Sequence, residues 1–484
     1  MPNQSSELLE SARALDEAGR PAEALEAAWN ALRLAPDDEA KRVVVQLLAF
    51  NPRLARPEWR EDIASLIDDS AVEPTSVARA GWHILLPSLP GVPEALAERI
   101  ESDELALRLL DQTYVAVLEA EETLTRLRRW LLMTGRWAEF PNLVAALAAQ
   151  AGHNGGAWLF DSEEKAAIEA GPDAPIARAY RPRPSVPPPG ADYPDPVTRS
   201  VADQYLDWPY PAWSRVTAPA PTTLPAEVDA MDEGRPSGLP ATAQILVAGC
   251  GTGREAALIA LRFPDSRVTA IDLSPASLSY AAERCAAGGL RNIDFRLLDL
   301  NRVTELGRTF HFITCSGVLH HLPDPEAGWA ALAGVLEPGG VIRIMLYSKL
   351  ARLRIRAAQA QIADLRDRPV DDEVLREARR RLIETAAESM GSSLDFFTLG
   401  GVHDLLLHRH EDPFDVPRIV RALDALGLEL LAFELPTPFH RARYLREHPH
   451  DPLFRDVRAW AALEKQEPFL FRSMYRFWCR KPAG

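Results

Sequence analysis

The chain has 484 residues, 47% of them hydrophobic and 25% charged, an ordinary globular composition with room for two to three domains. A formal net charge of −15 counts against DNA or RNA as substrate, because proteins that handle them usually present a basic face. Residues 1–20 are acidic without an apolar core and no run of about 18 apolar residues suggests a membrane span, while Cys250, Cys285, Cys315 and Cys479 form no C-x-x-C pair, so a soluble protein of the reducing cytoplasm with no membrane partner is expected.

Residues 5–38 read as a helical hairpin. Leu8, Ala12 and Leu15 recur at helical spacing, Gly19 supplies the turn, Ala24 and Ala31 offer small packing faces, and Pro36 ends the second helix. The register follows the helix–turn–helix unit of tetratricopeptide repeats, although the next stretch does not repeat it cleanly. Residues 39–150 stay helical in pattern, with a stripe of Leu107, Leu110, Tyr114 and Leu118. The expectation is an α-helical, tetratricopeptide-like domain over 1–170. It is read either as a docking surface for a protein or peptide or as a cap that stabilises the enzyme or a homo-oligomer.

A proline-rich arm follows over 171–240, and residues 172–240 hold 16 of the 40 prolines. Within it, Gln204-Tyr-Leu-Asp-Trp-Pro-Tyr-Pro-Ala-Trp213 is too aromatic for a solvated linker. This segment is expected to lie on the following domain, over its ligand cleft.

Residues 241–484 alternate strand and helix signals. Ile245–Ala248 is an apolar strand that runs into Gly249-Cys-Gly-Thr-Gly253, and Arg254–Phe263 is helical. Arg267–Ile271 is a second strand, closed by Asp272, and Pro275–Ala287 a helix with Ser274 as N-cap. Ile293–Leu297, Phe310–Cys315 and Val341–Leu346 are further strands. The order predicts an α/β fold, a doubly wound, mainly parallel sheet of seven strands with Rossmann-like topology. Ligands bind such sheets at the carboxyl ends of the strands, where Gly249, Asp272, Asp299 and Ser316 fall. A dinucleotide turn needs G-x-G-x-x-G, but here the third glycine comes one residue early and Arg254 stands in its place. Taken alone, the glycine run also suits a purely structural strand-to-helix turn.

The G-x-G-x-G turn, Asp272, Asp299 and the loop Ser316-Gly-Val-Leu-His-His-Leu-Pro-Asp-Pro325 together resemble the class I S-adenosylmethionine-dependent methyltransferases. The resemblance implies S-adenosyl-L-methionine as cofactor. Gly249, Cys250, Gly251 and Gly253 would line its methionine end, Asp272 and Leu273 its ribose, Asp299 and Leu300 its adenine, and Ser316 and Gly317 would lie near its methionyl carboxylate or sulfonium. His311 departs from the Asp usual at the start of the fourth strand, at the end of the sheet away from the ligand. The amide- and adenine-modifying subgroup carries Asn/Asp-Pro-Pro-Tyr/Phe where this chain has Ser316-Gly-Val-Leu319, which argues against those acceptors. The aromatic arm is similar to a segment of bacterial tetratricopeptide–methyltransferase fusion proteins, keeping Gln204, Tyr205, Pro209, Tyr210, Pro211 and Trp213. By that similarity Tyr205 would touch the cofactor and Tyr210 the substrate.

A sulfonium-borne methyl group is already activated, so such an enzyme mainly aligns its acceptor, with a general base only if the acceptor must lose a proton. His320 and His321 are the nearest candidates for that base, with His320 put first. Residues 349–413 read as a helical lid insertion, with Lys349–Arg366 helical and its basic stripe solvated. Tyr347, His403 and His408 are candidate substrate contacts. No fourth ligand is spaced to complete a metal site with His403, His408 and His410, so no metal is expected. Leu428–Glu434 and Leu470–Lys481 are expected to form the last two strands as an antiparallel hairpin. The acceptor stays open between a protein held by the helical domain and a small molecule, and a non-catalytic cofactor-binding adaptor is the alternative from another class.

Overall fold

The computed structural model describes residues 2–181, 208 and 210–483; Tyr205 lies outside the described residues. The alternating pattern of the second half closes into one seven-stranded sheet. Its strands are β1 (Gln244–Ala248), β2 (Arg267–Asp272), β3 (Ile293–Leu297), β4 (Phe310–Ser316), β5 (Leu336–Leu346), β6 (Glu429–Phe433) and β7 (Tyr475–Arg480). The spatial order is β3-β2-β1-β4-β5-β7-β6, parallel from β3 to β5, with β7 antiparallel to both β5 and β6. The order reverses between β1 and β4, which opens a ligand crevice beyond their carboxyl ends.

The last two strands pair antiparallel as expected, but through a long connection rather than a tight turn. Helices Pro438–Glu447 and Val457–Gln466 separate β6 from β7, and β7 inserts between β5 and β6. Strand β7 is also shorter than expected, because the chain turns at Leu470–Ser473 before entering the sheet. Local signals explain the connection: Thr437 accepts from the amide of His440 and Asp456 from that of Ala459, each capping a helix that strand alternation cannot announce. The helix expected over Lys349–Arg366 is broken into Leu353–Gln361 and Ala363–Arg366. His311 finds a structural use, since its Nδ1 accepts the amide of Gln244 at 3.0 Å and ties β4 to β1 at the end away from the crevice.

The N-terminal half is helical from Pro2 to Ala170, and its core continues through Ile176 and Ala177 to Tyr180, past the expected boundary. The hairpin Pro2–Glu17 and Pro21–Leu34 turns at Gly19 (φ +73°) and buries Ala24 and Ala31 as expected. A Cβ at Gly19 would lie 2.8 Å from the Phe439 ring, so the hairpin sits directly on helix Pro438–Glu447. The following helices, Asp38–Phe50, Arg60–Asp68 and Thr75–Leu85, do not repeat the hairpin's lengths.

Two seams join the halves. The insertion builds its own core around Leu382, Phe396 and Phe397, and Ala116 and Ala157 of the helical half enter that core. There the fully buried Arg379 guanidinium pairs with both carboxylate oxygens of Glu121 at 2.5 Å and donates to the Phe396 carbonyl. The second seam is the aromatic arm. Arg215 donates to the Val72 carbonyl at 2.9 Å, and Trp208 Nε1 to Asp372 at 3.0 Å. Among the described residues no helix is long and apolar enough to cross a membrane.

Candidate active site

A cleft of about 520 Å³ lies at the carboxyl ends of β1, β2 and β4, walled by the glycine turn, both carboxylate loops, the Ser316–Leu322 loop, the aromatic arm and the insertion. Of the expected site residues, Gly249, Cys250, Gly251, Asp272, Leu273, Asp299, Leu300, Ser316, Tyr210 and Tyr347 line it.

Asp272 organises the turn. Its Oδ2 accepts the amide of Gly251 at 2.7 Å and its Oδ1 the amide of Ser274 at 2.9 Å. The Leu273 amide also donates to this carboxylate, which with about four lone-pair sites keeps acceptor capacity for the ribose. Burial pushes the Asp272 carboxyl up, against the pull of its amide donors. Asp299 uses Oδ1 to accept the amide of Asn301 at 2.8 Å, while its buried Oδ2 has no partner. A buried acceptor without a donor is costly, and an exocyclic amine of a purine would satisfy it. The buried Ser316 Oγ is likewise unpartnered. Orphaned polar atoms at the expected adenine and methionine ends, joined by a ribose-competent carboxylate, fit S-adenosylmethionine.

The three glycines have different reasons. Gly251 faces the cleft, where a Cβ would lie 3.3 Å from the Tyr210 carbonyl. A Cβ at Gly249 would run into the Val318 side chain, so this glycine lets the β4 loop close on the turn. Gly253 does not line the cleft, contrary to expectation: its φ is +82° and a Cβ would fall 2.5 Å from that of Ala281, so it serves helix packing. Gly249→Ala should cost about 1–2 kcal/mol from its left-handed backbone alone, plus the clash. A lowered melting temperature and weakened cofactor binding by calorimetry would register it.

The arm closes the turn from above. Thr252 Oγ1 donates to the Pro211 carbonyl at 2.5 Å, and the buried Trp213 donates through Nε1 to the Thr252 carbonyl at 2.8 Å. Tyr210 OH donates to Asp395, and burial, aided by Asp395, keeps that phenol protonated.

The histidines sort differently from expectation. His320 does not line the cleft: it is fully buried against the Tyr347 ring, and its Nδ1 accepts the Tyr347 amide at 3.3 Å. His321 faces the cleft instead. Its Nδ1 lies 2.9 Å from the His410 carbonyl, which fixes the proton there and leaves the Nε2 lone pair free. Burial lowers its pKa, opposed by Asp404 and that carbonyl, so the ring is neutral at pH 7. His403 is buried edge-on against Trp208, away from the cleft wall. His408 stacks behind His321 with ring centroids 3.7 Å apart, a supporting position rather than a substrate contact.

Asp404 was not foreseen. A π turn over His403–Leu407 presents it at the cleft wall, with Tyr347 OH 3.4 Å away. Its sequence signal was a carboxylate in front of the apolar run Leu405–Leu407, which must be satisfied or used. Donor atoms of His321, Asp404 and His408 lie within 4.8 Å of one another. A divalent ion would need lone pairs on all three, but His408 Nδ1 accepts the amide of His410 at 3.2 Å, which puts the ring proton on Nε2. This donor set does not suit a metal in the present geometry.

Residues 245–340 match the methyltransferase domain family model. An uncharacterised protein of Synechococcus sp. is 33% identical over 50% of this chain and 61% of its own length. A trans-aconitate 2-methyltransferase of Methylobacterium radiotolerans is 38% identical over 24% of this chain and 42% of its own, and a ubiquinone biosynthesis O-methyltransferase of Xanthomonas axonopodis pv. citri 35% identical over 21% and 41%. The chain thus spans about half the length of these curated relatives. Among solved structures, PKMT2 from Rickettsia typhi in complex with AdoHcy superposes at 17% identity with a TM-score of 0.39, over 54% of each chain. The match over 245–340, with the sheet order and the cleft built on its strand ends, identifies residues 245–340 as a methyltransferase domain of the class I, S-adenosylmethionine-dependent kind.

Proposed function

We propose that the protein transfers a methyl group from S-adenosylmethionine to an oxygen of a small-molecule acceptor, with the helical half bracing the insertion rather than docking a protein substrate. The observation that carries this reading is the part of the cleft lined by Tyr210, His321, Tyr347 and Asp404, which come from the arm, the β4 loop, the end of β5 and the insertion. A cavity of about 520 Å³ is the size of a site for one or two small ligands, and the cofactor takes much of it. The similarity to relatives named for trans-aconitate and for ubiquinone biosynthesis supports a small acceptor.

Bound S-adenosylmethionine supplies a methyl group already activated on a positive sulfonium. The chain's own residues hold the acceptor and exclude water. Tyr347 is fixed by the Arg352 guanidinium 4.1 Å over its ring, and Arg352 by its buried pair with Glu411. His321 Nε2 takes the hydroxyl proton where the acceptor has one. A base must be unprotonated to act, so its lowered pKa sets the acid limb of kcat/KM below the usual imidazole value of about 6.5. His321→Gln should cost about 100-fold in kcat on a hydroxyl acceptor and erase that limb. Release of S-adenosylhomocysteine, followed first with trans-aconitate and then with the small-molecule fraction of a cell extract, tests the reading. Turnover with desalted protein but with no small molecule would refute it.

A further inference from the structure

The cleft has one side that the cofactor contacts leave unexplained. Arg343 on β5 and Arg476 on β7 line it together with Arg254, the first residue of the helix after the glycine turn. Strand alternation puts Arg343 and Met345 on one face, and Arg476 pairs with Met345 across the ladder, so β5 and β7 aim both guanidiniums to the same side. Two carboxylates face them, and both lie within ion-pair distance of Arg343: Glu434 is 3.2 Å from its Nε, and Glu255 4.0 Å from its Nη1. Glu434 also accepts from Trp478 Nε1 at 2.6 Å, and Glu255 from Thr314. Among the described residues, neither Arg254 nor Arg476 forms an ion pair or a side-chain hydrogen bond. Arg476 is half-buried, and burial, with Arg343 and Arg254 adding to it and Glu434 and Glu255 opposing, lowers its pKa. A guanidinium carries five donors, so one that lines a cleft without a side-chain partner has them to offer to a ligand.

We propose that Arg476 and Arg254 form an anion subsite, so that the methyl acceptor carries a carboxylate or phosphate besides the group that is methylated. The proposal rests on the methyltransferase reading of the cleft and names its substrate class. Planar, forked donors suit both anions, because each offers paired oxygens. The position fits an acceptor rather than the cofactor. Arg476, with Ser473 and Met474, also lines a groove of about 880 Å³ between the N-terminal hairpin and helix Pro438–Glu447, so the cleft opens outward at this point. An acceptor arriving along that groove meets Arg476 first and presents its far end to the wall of Tyr210, His321 and Tyr347.

Calorimetric titration of tricarballylate, and separately of inorganic phosphate, into the full chain tests this, with and without saturating S-adenosylhomocysteine. The saturated sample already contains the cofactor's own carboxylate, so any anion bound there is a further one. At least one of the two anions should bind the wild-type protein, the preferred one telling carboxylate from phosphate. Arg476→Gln should weaken that binding at least tenfold and leave S-adenosylhomocysteine affinity unchanged. Arg480→Gln, whose guanidinium pairs with Asp232, should bind the anion as wild type does. Failure of both anions to bind, or equal binding to Arg476→Gln, would overturn the subsite. Failure of S-adenosylhomocysteine to bind would instead sink the methyltransferase reading, and the titration without it would still decide the anion subsite.

Discussion

Replacing Asp272 with alanine should reduce S-adenosylmethionine affinity by at least 100-fold. The carboxylate does two things at once: it holds the amides of Gly251 and Ser274, and it offers the lone pairs that ribose hydroxyls need. Hydrogen bonds to a charged group contribute about 1.5–3 kcal/mol each, so losing two of them removes about 3 kcal/mol or more of binding. That corresponds to a factor of about 100 or more in Kd. Asp272→Asn should lie closer to alanine than to wild type, because an amide offers one oxygen in place of two. The pH dependence carries the same signature. Burial pushes this carboxyl up, so cofactor affinity should begin to fall, on lowering the pH, at a higher pH than an ordinary carboxylate of about 3.9 would give. Calorimetry across pH, with circular dichroism to confirm folding, checks both. An Asp272→Ala protein that binds with wild-type affinity would remove the ribose from this site.

The second large effect concerns the seam between the halves. Either Glu121→Ala or Arg379→Ala strands a buried charge, since the pair's side chains are only 6% and 0% exposed. Removing one partner of such a pair costs about 3–5 kcal/mol. Replacing both with apolar residues of similar volume, as in Glu121→Leu with Arg379→Met, should recover most of that loss, because no unpaired charge remains. Thermal unfolding of the three variants separates the outcomes. Single variants that melt like wild type would mean that the insertion does not depend on the helical half for its placement. Phe396, whose carbonyl accepts a hydrogen bond from Arg379 Nε, adjoins Asp395, and Asp395 holds Tyr210. Acceptor turnover should therefore fall in the single variants more than cofactor binding does.

The cofactor side of the cleft was legible in the chain because its parts are local and ordered. The glycines follow the apolar strand β1, Asp272 closes the apolar strand β2, and Asp299 comes just after β3. The arm was legible in kind, since two tryptophans and two tyrosines in a short stretch have to be buried somewhere, and Trp213 is buried on the glycine turn. The acceptor side was not legible. Choosing between His320 and His321 depends on a short turn over Leu319–His321 and on a carbonyl of His410, which only the folded insertion brings close. Asp404 reaches the wall through a π turn, which no apolar periodicity announces. Arg476 depends on β7 slipping between β5 and β6, and strand alternation sets the face of a residue without setting the order of strands. Gly253 shows the converse case: its place in the motif was legible, but its reason was packing against Ala281 rather than contact with the ligand.

The central claim is methyl transfer to a small acceptor, and it is tested most directly by supplying methyl-labelled S-adenosylmethionine and the purified full chain to a cell lysate. The lysate is then separated into protein, nucleic-acid and small-molecule fractions. Label is expected in the small-molecule fraction, absent with Asp272→Ala and strongly reduced with Arg476→Gln. Label confined to protein or nucleic acid, or no transfer by a chain that binds the cofactor, would contradict it.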